Sequence, residues 1–271
     1  MTERRLHPPI KLTELESLRK ELKPELDQSV SEACFIYPEV SANVQGFVRS
    51  RVSSQGIYLF SDTGGGTVDQ SVFIFFTKED GIEHLTYLHG SVIPLGSSLI
   101  EQTAASFSGC SDCRTLEMLR KKKEEGKNDP KLKEARDKIN KDLSLKTRST
   151  LAYAKRKLFR REQLHDIRII FGGGGHCHHP YETSVVQTFK GDLFPIGGIS
   201  PSVLGLPKPR DLELENQTQH WMDRLYVAYG LSFVKTDLIN FTYPRDVTDP
   251  ESDEIWTRSK IIPEAPTKDV C

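Results

Sequence analysis

Apolar positions crowd together between residues 57 and 76, where Ile57, Tyr58, Leu59 and Phe60 precede a polar, glycine-rich break and Val68, Val72, Phe73, Ile74, Phe75 and Phe76 follow it. β-Branched and aromatic runs split by glycines predict a β-hairpin. Shorter runs predict strands over 34–37, 83–87 and 167–171. Elsewhere the spacing is helical. Leu12, Leu15, Leu18 and Leu22 predict a helix over 11–33, divided near Pro24. A short helix is expected over 41–48, and another opens at 99–106 after a loop over 90–98. Further helices are expected over 181–189 and 218–228, the latter with Trp221, Leu225 and Ala228 on one face and Gly230 ending it. Strands and helices alternate, which indicates an α/β fold.

Residues 112–148 carry a different pattern, with mixed charge broken by a narrow stripe of Leu132, Ala135, Ile139 and Leu143. Two helices, over 117–125 and 131–142, are expected to form a small helical insertion with one buried face. The run Lys121-Lys122-Lys123 reads as a solvated helix face. A separate basic helix is expected over 150–161. Prolines 244, 250, 263 and 266 among acidic residues suggest an extended tail. The expected organisation is an N-terminal helical segment (1–33), a main domain (34–242, with the insertion at about 112–148) and a C-terminal tail (243–271).

Composition narrows the function classes. With 271 residues and 37% apolar content, the chain can bury a substantial core. A net charge of −1 provides no bulk attraction for nucleic acid or an anionic membrane. No apolar run approaches the roughly 20 residues that span a bilayer, and the charged start lacks the apolar segment of a secretory signal. Five scattered cysteines do not suggest a disulfide framework, so a reducing cytoplasm is the expected compartment.

The chemistry concentrates at Asp62-Thr63-Gly64-Gly65-Gly66-Thr67. Glycines let backbone N–H groups approach an anion closely, and an aspartate at the mouth of such a turn can hold a hydrated Mg²⁺ ion. Asp62-Thr63-Gly64 also matches the aspartic-protease triplet, which needs two aspartates sharing a proton. Gly172-Gly173-Gly174-Gly175 follows the buried strand; it fails the dinucleotide fingerprint because Cys177 stands where a third glycine is required, and the chain has no Gly-Lys-Ser/Thr phosphate loop. His176, Cys177, His178 and His179, with Cys110 and Cys113, form a candidate composite metal site, although structural zinc prefers spaced ligand pairs. The basic residues from Lys155 to Arg161 lack the aromatic platform of a nucleic-acid surface beyond Phe159.

The order of these parts resembles the second half of the ATPase fold shared by actin, the seventy-kilodalton heat-shock chaperones and sugar kinases. Asp62 to Asp69 is similar to that superfamily's second phosphate motif in its chaperone form, and Phe171 to Gly175 to its adenosine motif. Glu39-Val40-Ser41-Ala42 and Val227-Ala228-Tyr229-Gly230 resemble its two hinge segments. The resemblance implies a ribonuclease-H-like α/β lobe that binds ATP or ADP with Mg²⁺. It implies that Asp62 holds the Mg²⁺ water shell or orients the attacking water, and that the amides of Gly64, Gly65 and Gly66 cradle phosphates. Thr67 would add a hydroxyl, Gly172, Gly173 and Gly174 would let backbone approach the adenosine, and Glu39 would sit across the cleft near nucleotide or metal. Ala154-Lys155-Arg156 has the composition of the helix that contacts adenine. Only 38 residues precede Glu39, and no first-lobe phosphate hairpin can be placed among them. The expectation is therefore one lobe of an ATPase, completed for hydrolysis by a partner polypeptide. The alternative is a non-catalytic nucleotide-sensing or interaction protein with the same fold.

Overall fold

The computed structural model describes residues 37, 39–50, 53–107, 109, 112–191, 193–194, 198–209 and 220–247. In chain order its elements are α1 (Glu39–Val48), β1 (Gly56–Thr63), β2 (Val68–Thr77), β3 (Glu83–Ile93), α2 (Leu99–Ser106), α3 (Cys113–Glu124), α4 (Pro130–Arg156), β4 (Arg168–Gly172), α5 (Tyr181–Thr188), β5 (Ser202–Leu204), α6 (His220–Leu231) and β6 (Asn240–Thr242). The expected helix over 11–33 and most of the strand over 34–37 lie outside the described residues, as does the tail from 248 onward.

One six-stranded sheet, in the order β5-β4-β1-β2-β3-β6, organises the chain. β2 pairs antiparallel with β1 and β3, whereas β4 runs parallel to β1, β5 to β4 and β6 to β3. Only β2 runs against the rest. An antiparallel three-strand meander with parallel strands added beside β1 is the ribonuclease-H-like arrangement. Neither β5 nor β6 was anticipated, since three residues are too few to show a pattern. β3 continues to Ile93, where a loop from residue 90 was expected, because Gly90 and Ser91 pair with Ser71 and Gln70 of β2.

The side chains alternate between two cores, as a pleated strand requires. On one face Tyr58, Phe60, Phe73, Phe75, Leu85, Tyr87 and Ile170 pack against Val44 and Phe47 of α1 and Tyr226 of α6. Phe47, Tyr58, Phe73 and Tyr87 form a chain of ring contacts 5.4–5.6 Å apart. Gly230, expected to end α6, instead lies inside it, where a side chain would overlap the Ala42 carbonyl of α1. On the other face Leu59, Val72, Leu88 and Ile169 meet α2, α4 and α5.

α4 differs most from expectation. The helices expected on either side of residue 148 are one helix of 27 residues. Asp129 caps its start by accepting from the Lys131 and Leu132 amides, and Pro130 occupies the first turn. Its buried stripe runs through Leu132, Ala135, Ile139 and Leu143 and then Thr147, Thr150, Leu151 and Ala154. The two threonines hid the continuity. Each is buried with its hydroxyl partnered, Thr147 by Gln70 at 2.8 Å and Thr150 by Ser91 at 2.8 Å. Fully buried leucines contribute about 1.5–3 kcal/mol each, so α4 is a main layer of the core.

Candidate functional site

The sheet brings the two glycine motifs together at one residue. Asp62 sits next to last in β1, with Asp69 opposite it in β2 and Gly172 opposite it in β4. The turn between β1 and β2 is closed by Gly64 N–H donating to the Thr67 carbonyl at 2.9 Å. The loop after β3 then grips this turn from one side. The amides of Gly96, Ser97 and Ser98 donate to the carbonyls of Gly66, Gly64 and Gly65 at 3.1, 2.9 and 2.9 Å. A side chain at Gly96 would overlap the Gly65 carbonyl, so the grip requires glycine there. A peptide plane points its N–H opposite its C=O. Pinning the carbonyls of Gly64 and Gly65 therefore turns the N–H groups of Gly65 and Gly66 away from the loop. Both glycines are exposed.

The second glycine run turns back against the end of β1. Gly173 has φ +74°, and a Cβ there would overlap Asp62 Oδ1 and the Thr63 carbonyl. Gly175 N–H donates to that same carbonyl at 2.9 Å, and Gly173 N–H donates to the Asp223 carbonyl in α6 at 3.2 Å. His176 fixes the run from inside: its Nδ1 lies 2.6 Å from the Gly173 carbonyl, so that nitrogen carries the proton, and its ring stacks on Phe171. Its Nε2 faces Glu182 at 3.6 Å and Asp223 at 3.9 Å. Among the described residues no three His, Cys, Asp or Glu side chains converge as a metal site; of the two cysteines expected in the composite site, Cys113 is free and exposed, and Cys110 lies outside the described residues.

Asp62 is held in an environment hostile to its charge. Burial pushes its pKa up from 3.8 to about 6, and the Asp69 and Glu39 carboxylates add to the rise. Asn43, which donates its side-chain amide to Asp62 Oδ2, and His176 oppose it. Among the described residues Asn43 Oδ1 is itself buried without a partner. Glu39, exposed in the first turn of α1, shares with Asn43, Asp62 and Asp69 a cleft of about 260 Å³. Thr67 donates its hydroxyl to Asp69 at 3.0 Å.

A second cleft, of about 380 Å³, lies beside the turn and is lined by Gly64, Gly65, Gly174 and Gly175 together with Arg120, Lys123 and Arg224. Its basic groups come from a place the sequence did not suggest. Lys123, expected on a solvated face, is 6% exposed. It pairs with buried Glu101 of α2 at 2.7 Å and donates to the Ser97 carbonyl at 2.9 Å, while Arg120 Nε reaches Glu101 at 3.3 Å. The one available signal was Lys123 at helical spacing from Leu116 and Leu119. Lys155 and Arg156, the expected adenine contacts, do not line either cleft. Lys155 donates to the Leu193 carbonyl at 2.8 Å, and Arg156 lies over the Tyr153 ring.

These groups suit a hydrated divalent cation bearing a polyphosphate. The Gly65 and Gly66 amides are not used by the turn's own hydrogen bonds among the described residues, and the Asn43 amide and His176 only partly offset the burial of Asp62. A cation bound through its water shell at Asp62 would offset the charge that burial and the Asp69 and Glu39 carboxylates disfavour there.

No protein-family model matches the chain, and no curated protein sequence does. Among solved structures it is similar to one described as the PilM-PilN type IV pilus biogenesis complex, with 13% identity and a TM-score of 0.45 over 83% of this chain and 73% of that one. It is also similar to a pCBH ParM non-polymerisable quadruple mutant, with 13% identity and a TM-score of 0.44 over 74% of this chain and 55% of that one. A 15-stranded ParM filament from Clostridium botulinum gives 16% identity and a TM-score of 0.44, over 74% of this chain and 54% of that one. The chain spans about half the length of the two ParM chains it matches. The strand order establishes the ribonuclease-H-like sheet.

Proposed function

We propose that the chain is an ATP- and Mg²⁺-binding lobe of an actin-like ATPase, in the motif form of the seventy-kilodalton chaperones, with a cytoplasmic partner polypeptide supplying the opposing jaw. The observation that carries this reading is the meeting of both glycine motifs at Asp62, with the turn's carbonyls pinned and the Gly65 and Gly66 amides exposed. The amides of Gly65 and Gly66 would hold phosphate oxygens. Asp62 would hold a metal-bound water or orient the attacking one, and Glu39 would act from across the cleft. Bound Mg²⁺ contributes neutralisation of developing phosphate charge. The chain contributes position and preset dipoles, which is most of what phosphoryl transfer asks of a protein. The Gly64 amide is engaged within the turn, so the cradle offered is narrower than three glycines suggest.

Calorimetric titration with Mg-ATP tests the reading. The chain is expected to bind, and Asp62→Ala to weaken binding by about tenfold or more, the scale of one charge-assisted hydrogen bond. No heat at millimolar nucleotide would overturn it.

A second reading is a non-catalytic interaction protein of the same fold. It is favoured by the internal engagement of two expected ligand groups, the Gly64 amide and the Thr67 hydroxyl. Mg-ATP binding that never leads to phosphate release, even with the partner polypeptide present, would select it.

A further inference from the structure

We infer that Lys123 is a positioning residue for the glycine turn, acting through the loop that grips it; the inference rests on the nucleotide-binding reading above. The chain of contacts is short. Lys123 lies on the buried side of α3 with Leu119, lines the cleft and ends between two oxygens, Glu101 Oε2 at 2.7 Å and the Ser97 carbonyl at 2.9 Å. Its side chain is 4% exposed and that of Glu101 1%. Ser97 is the middle residue of the three whose amides hold the carbonyls of Gly64, Gly65 and Gly66. Those carbonyls set the direction of the amides that follow them, because each peptide unit is planar. The ammonium therefore fixes Ser97, Ser97 and its neighbours fix the turn, and the turn aims the Gly65 and Gly66 N–H groups.

Three glycines explain why a clamp is needed. Unrestrained glycine samples both signs of φ and loses more freedom on folding than any other residue. An unclamped turn would present its amides in many directions, and ordering them would be charged against ligand affinity. A buried ion pair is weak evidence for stability, since apolar replacement of both partners is often neutral. Its use here lies in the extra bond to Ser97, which no apolar pair reproduces.

The test pairs Glu101→Leu with Lys123→Met, which removes both charges together and leaves neither buried alone. Amide hydrogen exchange is read in the ligand-free chain, and Mg-ATP affinity by calorimetry. The double variant is expected to exchange the Ser97 and Ser98 amides at least about tenfold faster, with Leu59 and Ile169 unchanged, because local opening is set by local contacts. Mg-ATP affinity is expected to fall about tenfold, the scale of losing preset donors. Lys122→Met, on the same helix but bonded to Asp129 instead, should change neither reading. Unchanged exchange at Ser97 and Ser98 overturns the clamp, and faster exchange with wild-type affinity overturns its positioning role. If the unmodified chain binds no Mg-ATP, the nucleotide reading fails while exchange still decides the clamp. Should the double variant not fold, Lys123→Gln, which is too short to reach both oxygens, is read in the same way.

Discussion

Replacing Asp62 by asparagine should make the protein more stable, even though it removes the centre of the proposed site. The change keeps the side-chain shape and leaves an oxygen to accept the Asn43 amide hydrogen. It removes a charge that burial and the Asp69 and Glu39 carboxylates disfavour. A rise from 3.8 to about 6 corresponds, at 1.36 kcal/mol per pH unit, to about 3 kcal/mol against the folded state once the group is ionised. The direction follows from proton binding. Between pH 4 and 6 the folded chain holds the Asp62 proton more tightly than the unfolded chain, so stability falls as pH rises through that window. Below the window the penalty is absent, and above it the penalty is complete. Asp62→Asn should therefore match the unmodified chain near pH 4 and exceed it by about 2–3 kcal/mol at pH 8. Urea unfolding at pH 4, 5, 6 and 8, with m-values checked for constancy, measures this. A variant less stable than the unmodified chain at pH 8, or a gap that does not change with pH, would mean that the Asp62 charge does not destabilise the fold.

Further outcomes follow from the same structure. Gly173→Ala should lose about 3 kcal/mol or more, because positive φ strain adds to overlap with Asp62 and Thr63. Gly66→Ala should stay within about 0.5 kcal/mol, since a Cβ there meets nothing within 4 Å; urea midpoints compare the pair. Leu143→Ala, in the fully buried stripe of α4, should cost about 2–5 kcal/mol in the same assay. A loss below 1 kcal/mol would mean that α4 is peripheral to the core.

Much of the hairpin was legible, because apolar runs this dense around a glycine break leave few alternatives. The strands observed over Gly56–Thr63 and Val68–Thr77 bracket the expected span. The apolar stripe of α4 was readable as far as Leu143 and then passed into buried threonines, which a hydrophobic pattern cannot register. What the sequence could not show was pairing between distant segments. The parallel match of Asp62 with Gly172 joins residues 110 positions apart, and no local signal encodes it. The roles of Lys123 and Glu101 were hidden for a related reason. A lysine run is ordinarily solvated, and only the packing of α3 on α2 reveals which lysine turns inward.

In the proposed site the Gly65 and Gly66 amides are aimed at a phosphate. Amide chemical-shift mapping of the ¹⁵N-labelled chain, titrated with Mg-ATP, tests it residue by residue. The Gly65 and Gly66 resonances are expected to move most, with Gly173 and Gly174 following, and the Gly64 amide, already bonded within the turn, to move less. Unmoved Gly65 and Gly66 resonances at millimolar nucleotide would contradict it.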